Sequence, residues 1–180
     1  MRKSGMMPLA AAGLILLVTL SGCAPSGGMA AIDGGSEPDS RFMNWDKANQ
    51  EYRKTVSSFP FELKNGDRFP QDMTKTGSTD ENGDPVLYER GSGASQAYFF
   101  WMCSVEKDVL DHVQSDPQQA QTSIAELRRV LDTDWYQAHV EDPDRRFVNA
   151  LDAAELGDMS GLKQNFDAGA CLSILARQDS

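Results

Sequence analysis

The chain has few of the residues that metal centres and nucleophilic enzymes rely on. It contains two histidines, His112 and His139, and three cysteines, Cys23, Cys103 and Cys171. Zinc sites gather three or four histidine, cysteine or carboxylate ligands, often with two histidines one helical turn apart. No such spacing occurs here. There is no Gly-x-Ser-x-Gly elbow for a serine nucleophile and no glycine-rich loop ending in the lysine that grips a nucleotide phosphate. Gly91-Ser92-Gly93 lacks the third glycine of a dinucleotide fingerprint, because position 96 is Gln. The sequence therefore calls for no cofactor and no metal.

Basic residues are scarce too. Lys and Arg number 17 against 27 Asp and Glu, a net charge of −10. That excess repels phosphate backbones and anionic headgroups, so nucleic acid is excluded as a partner. An apolar run long enough to span a membrane is also missing. The longest, Leu9–Leu20, falls short of the roughly 20 residues a span requires.

That short run has a recognisable setting. Arg2 and Lys3 precede it, and Leu20-Ser21-Gly22-Cys23 follows. A basic start, an apolar core and small residues before a cut mark a secretory signal, here residues 1–22. Leu-Ser-Gly-Cys resembles the lipobox of bacterial lipoproteins. The resemblance implies a diacylglycerol on the Cys23 sulfur, cleavage just before it, and residence at the extracytoplasmic face of the cell membrane. Each buried methylene contributes about 0.8 kcal/mol, so one chain holds a protein only loosely and two anchor it. Without Arg2 and Lys3 the mature chain carries 15 basic and 27 acidic side chains, a formal charge of −12.

With Cys23 assigned to lipid, Cys103 and Cys171 remain as an even pair in an oxidising compartment. A bridge between them closes a loop of about 70 residues, for which loop entropy predicts a contribution of about 4 kcal/mol. Two buried free thiols are the alternative.

Residues 23–40 are the lipidated cysteine and a small, polar, Gly/Pro-rich tether with a reach of about 20–25 Å. The domain proper is 41–180. A first helix is expected from Arg41 to Ser58, capped by Asp39 or Ser40, with Phe42, Trp45, Ala48, Tyr52 and Val56 as its apolar stripe and Pro60 as its end. Phe61–Phe69 contains Asn65-Gly66 and reads either as a short β-hairpin or as an extended segment laying Phe61, Leu63 and Phe69 onto helices.

From Ser92 or Gly93 to about Gln114 a helix is expected. Its stretch Ala97–Cys103 is apolar all round and so central. Val105, Val109, Leu110 and Val113 should then face inward, and Glu106, Lys107, Asp108 and Asp111 outward. Asp116-Pro117 and Asp142-Pro143 are start signals for two further helices. Gly157 is a stop, and Asp158 caps a last helix carrying Leu162 and Phe166. The fold class is mainly α: four or five helices, with room for one short hairpin, stapled by one disulfide.

Asp80, Asn82 and Asp84 match the start of a calcium loop, but the turn position is Pro85 and the bidentate position is Gly91, so a polar turn is the better reading. His112 lies one turn from Asp108 and Asp116 and is placed for a carboxylate pair. Cys103 sits in an apolar helix where a free thiol is inert, which argues against a Cys–His enzyme. The most site-like spot is the candidate ligand-facing cluster Trp135, Tyr136 and His139, with Asp134, Glu141 and Asp142 nearby.

The stretch Gly91-Ser92-Gly93-Ala94-Ser95-Gln96-Ala97-Tyr98-Phe99-Phe100-Trp101-Met102-Cys103, with the late Cys171, resembles uncharacterised exported proteins of actinobacteria. That resemblance carries no activity over. Catalytic residues are unassigned. The expected role is a membrane-tethered binding or structural module that meets a cell-envelope protein or polymer, more a binder than an enzyme. The alternative is a hydrolase of envelope polymers working through two carboxylates. Solute capture between two lobes needs more chain than the roughly 140 residues after the tether.

Overall fold

The computed structural model describes residues 41–179. The signal segment, Cys23 and the tether at 23–40 lie outside the described residues. In chain order the elements are β1 (Phe42–Met43), α1 (Trp45–Ser57), β2 (Tyr88–Glu89), α2 (Ser92–His112), α3 (Pro117–Arg128), α4 (Asp134–His139), α5 (Arg146–Glu155), α6 (Ser160–Ala168) and α7 (Cys171–Leu175). Short 3-10 turns, Arg129–Asp132 and Ala176–Asp179, follow α3 and α7. The fold is mainly helical, with one short antiparallel strand pair and a Cys103–Cys171 disulfide. Among the described residues there are seven helices, two short ones beyond the expected four or five. The additions, α4 and α7, span six and five residues, too few for an apolar period to register.

α2 is the axis of the domain. Phe100 through Val105 are all buried, and Trp101, Val105 and Val109 have no exposed surface. A helix apolar on every side must be covered on every side. Ile124 and Leu127 of α3, Leu151 and Ala154 of α5, and Leu162 of α6 join it in one core. Ala48 and Tyr52 of α1 form a second cluster with Ala97, Met73 and Tyr88. Asp108, expected on the outer face, is buried under α3. There its carboxylate accepts from the Ser123 hydroxyl at 2.6 Å and the Gln119 amide at 3.0 Å.

The start of α2 is fixed by contacts from outside it. Gly91 adopts φ +97°. The Glu51 carboxylate of α1 accepts from the Gly91 N–H at 3.0 Å and the Gly93 N–H at 3.2 Å, placing negative charge at the positive end of the helix dipole. Gly93 lets α1 approach this closely. A Cβ there would stand 2.2 Å from the Ala48 carbonyl oxygen and 2.6 Å from the Tyr52 nitrogen.

Several boundaries differ from the sequence reading. α1 begins at Trp45, capped by Asn44, whose side chain accepts from the Lys47 N–H. The expected Asp39 and Ser40 caps come too early, because Phe42 and Met43 pair instead with Glu89 and Tyr88. That pair is the fold's two-stranded element, so it lies away from 61–69. Asn65-Gly66 does turn with positive φ, closed by the Asp67 N–H on the Lys64 carbonyl at 2.8 Å. Its flanks bond to α2 rather than to each other. The Lys64 N–H donates to Ser104 Oγ at 2.9 Å, and the Trp101 indole donates to the Glu62 carbonyl at 3.0 Å. Phe61, Leu63 and Phe69 pack against the core, and Phe61 stacks on Trp101 at 4.6 Å. Burying three large side chains outweighs the few ladder bonds two very short strands offer.

α5 starts at Arg146, four residues after Asp142, and Asp142 still serves its first turn by accepting from the Arg146 and Phe147 N–H groups. Gly157, at φ +96°, follows α5 as expected, and Asp158 accepts from the Ser160 N–H.

Replacing a helical glycine by alanine normally stabilises by about 1 kcal/mol. Gly93→Ala should do the reverse. Forcing α1 away from α2 is expected to cost about 2–3 kcal/mol, read as a lower urea midpoint at unchanged slope.

Candidate functional site

One face of α2 is left partly uncovered between two walls, and the result is a groove of about 420 Å³. Its floor is the stripe Gln96, Phe99, Cys103 and Glu106, at steps of three, four and three. One wall comes from the end of the chain, with Gly169, Cys171 and Ile174. The other comes from α4 and α5, with Tyr136, Val140 and Phe147. Most of the lining is apolar, and Phe99 on the floor is about half exposed.

The mouth is polar and tied together by side chains. Gln96 exchanges two hydrogen bonds with the backbone of Thr74, at 2.8 and 3.2 Å, and Arg177 donates to the Thr74 hydroxyl at 2.7 Å. Tyr52 donates to the Pro70 carbonyl at 2.9 Å. Burial, helped by the Asp72 charge, pushes the Tyr52 phenol up to about 12. Asp72 accepts from Asn49 at 2.5 Å and from Arg53 Nε at 2.9 Å, and these bonds hold its carboxyl below the usual range.

The inner end contains an acid. Glu106 has no exposed surface. Asn165 of α6 donates to its Oε1 at 2.5 Å, and its Oε2 lies 3.8 Å from Cys171 Sγ. Burial raises its pKa to about 8, against a smaller opposing pull from Asn165. At neutral pH the carboxyl keeps its proton. A disulfide sulfur has no hydrogen to give, so in this contact the carboxyl O–H is the donor and the sulfur the weak acceptor. Glu106 was expected to face solvent. It does not, because α6 and α7 cover the side of α2 that carries it.

The three residues of the sequence-derived cluster part company. Trp135 is core: it stacks on Tyr98 at 4.4 Å, and its indole donates to Ser95 Oγ at 3.0 Å. Tyr136 lines the groove. Its hydroxyl is buried, and burial and the nearby Asp142 carboxylate raise its pKa. His139 is exposed, with its ring lying over Gly91, where a Cβ would meet it at 2.3 Å. The groove thus takes one of the three.

Elsewhere, His112 Nδ1 lies 3.3 Å from the Asp108 carboxylate, the pairing its spacing suggested. Asp80 turns its carboxylate onto the N–H groups of Asn82 and Asp84, making a closed polar turn. Among the described residues no group of three or more potential ligands is placed to hold a metal ion.

Sequence reasoning missed Glu106 and Asn165. The available signal was position: Glu106 continues the stripe of Phe99 and Cys103, so the cysteine partner of a bridge would land beside it.

No family model matches the chain, no curated protein matches it, and no solved structure matches it.

Glu106 gives stability a pH dependence of definite sign. At pH values below about 4.5 both folded and unfolded chains hold the proton. Between there and about 8 the unfolded chain has released it while the folded chain keeps it, so stability falls as pH rises, by up to about 1.4 kcal/mol per unit. Urea unfolding of Glu106→Gln should lack this decline and leave the variant more stable than wild type near pH 8.

Proposed function

We propose that this protein is a binding module of the cell envelope, held at the membrane by fatty acyl chains on Cys23, whose groove takes a single hydrocarbon chain such as a lipid tail. The observation that carries the reading is the groove itself, apolar and about 420 Å³ in volume. Small-molecule sites run from about 300 to 1,000 Å³. A methylene is about the size of a water molecule, roughly 30 Å³, so the groove accommodates on the order of fourteen of them. Even two turns of a peptide helix, about 10 Å across, exceed that space. One chain fits; a second does not.

The energetics favour a long chain. Fourteen methylenes contribute about 11 kcal/mol at about 0.8 each, and association costs about 4 kcal/mol or more. Short chains would leave little surplus. Among the described residues no helix is long and apolar enough to cross a membrane. The anchor in this reading is the lipid on Cys23, and the lipobox supports it.

A hydrolase is the second reading, and one observation favours it: Glu106 has the raised pKa of a general acid. A glycosidase needs a second carboxylate about 5–10 Å away. Asp72, the other acid of the groove, sits at the mouth near Gln96. The backbone of α2 rises about 15 Å from Gln96 at the mouth to Glu106, and Asp72 is already engaged by Asn49 and Arg53. Binding is the better account.

Two measurements test it. Cys23→Ser should move the protein from the membrane to the soluble fraction and remove the acyl mass from its N-terminal peptide. A fluorescent sixteen-carbon acyl probe should bind saturably, with affinity falling about fourfold for each methylene removed. Val140→Trp, which fills the groove, should weaken the probe at least tenfold. Binding indifferent to chain length and to Val140→Trp would defeat the reading.

A further inference from the structure

The groove holds a second piece of chemistry that acyl binding does not use. Cys103 and Cys171, joined by the bridge, both line it, and Glu106 stands against the Cys171 sulfur. We propose that Cys103–Cys171 is a redox-active disulfide, opened by a small dithiol that enters the groove, with Glu106 passing its proton to Cys171 as the bond breaks.

The placement is specific. Glu106 Oε2 is 3.8 Å from Cys171 Sγ, and Asn165 fixes the other oxygen at 2.5 Å. Nothing in the packing requires an acid at this depth. Val105 beside it and Val109 one turn on are apolar, and a glutamine would accept the Asn165 bond equally well. The groups that touch it from neighbouring elements are the Asn165 amide from α6 and the Cys171 sulfur from α7, and the Tyr136 phenol of α4 lines the same groove. Phe147, from α5, brings no titratable group. The charged neighbours pair at the surface, Lys107 with Asp111 on α2 and Lys163 with Asp167 on α6, and Asp72 and Arg177 lie at the mouth.

One thiolate of the dithiol attacks Cys103 Sγ, forming a mixed disulfide. The electron pair of the broken bond goes to Cys171 Sγ, which takes the Glu106 proton. The second sulfur of the dithiol then attacks the first, giving up its proton, and Cys103 leaves and takes that proton as a thiol. The dithiol is oxidised to its disulfide, the protein disulfide is reduced to two thiols, and Glu106 is left as a carboxylate exchanging protons with solvent. The new Cys171 S–H can now donate to that carboxylate, so the direction of the hydrogen bond reverses.

The wall does not depend on the bridge alone. Gln178 accepts from the Arg68 N–H at 2.8 Å and Arg177 donates to Thr74, so the tail carrying Cys171 keeps its place and the bond can re-form.

The test is an equilibrium titration that involves no acyl ligand, so its failure and that of the lipid-groove reading are separable. The full-length protein, extracted in detergent from its own membrane, is equilibrated with fixed ratios of reduced and oxidised dithiothreitol from about pH 5.5 to about pH 8. Free thiols are trapped, and the Cys103 and Cys171 peptides are quantified by mass spectrometry. Because the reduced protein favours ionised Glu106, the reduced fraction should rise with pH, with an equilibrium constant changing by up to about tenfold per unit. In Glu106→Gln the curve should be flat. In Asn165→Ala, which keeps the acid and removes the bond to its ionised form, the rise should move to higher pH. Circular dichroism at each point confirms that the variants are folded. A flat wild-type curve, a slope that survives Glu106→Gln, or a bridge that dithiothreitol opens only as the protein unfolds would overturn the proposal.

Discussion

The whole arrangement depends on one constraint: α2 must be buried on all sides. Its sequence from Ala97 to Val109 offers no polar face wide enough to leave in water, so α1, α3, α4, α6 and α7 are recruited to cover it. α3 and α1 take two sides. The irregular chain from Phe59 to Phe69 covers another with aromatic rings and satisfies its own backbone on Ser104 and Trp101. Helices too short to persist alone, α4 and α7, exist because they have α2 to lie on.

The groove follows from the same constraint. Covering a helix of 21 residues with short segments leaves a seam where two coverings do not meet. Along that seam run Phe99, Cys103 and Glu106. The tail is drawn to α2 by the disulfide and by Leu175, Phe100 and Phe166, and this closes one wall while shutting Glu106 away from water. The neutral acid is a consequence of where the tail docks. The charge it would carry at neutral pH in solvent is suppressed by burial, and no cation is brought up to meet it.

Much of this was legible in the residues. The central helix, its start after Gly91, the Asp116-Pro117 entry to α3 and the Gly157 stop all follow from local rules. These are signals read within a few residues of where they act. The failures were long-range. Whether Phe42–Met43 joins α1 or a strand depends on Tyr88 and Glu89, far along the chain. Whether Asn65-Gly66 closes a hairpin depends on Ser104 competing for the same backbone groups. Glu106 and Asp108 carry charges that any periodicity argument turns outward, and only the positions of α6, α7 and α3 turn them in. The site was legible only in its aromatic and sulfur-bearing parts for the same reason. Trp135 and His139 drew attention by residue type, yet Trp135 is stacked in the interior and His139 rests on Gly91. Tyr136 alone of the three reaches the groove, and Asn165 gave no sign of itself.

The Glu51 bonds to Gly91 and Gly93 bear on how the domain assembles. The first turn of α2 borrows its cap from another helix, so a peptide cut to α2 alone would fray at that end. α1 must therefore arrive before the axis is complete. Nucleation then involves two helices separated by a long connecting stretch, a more non-local step than a helical protein of this size ordinarily takes, and one that slows the search for the native state.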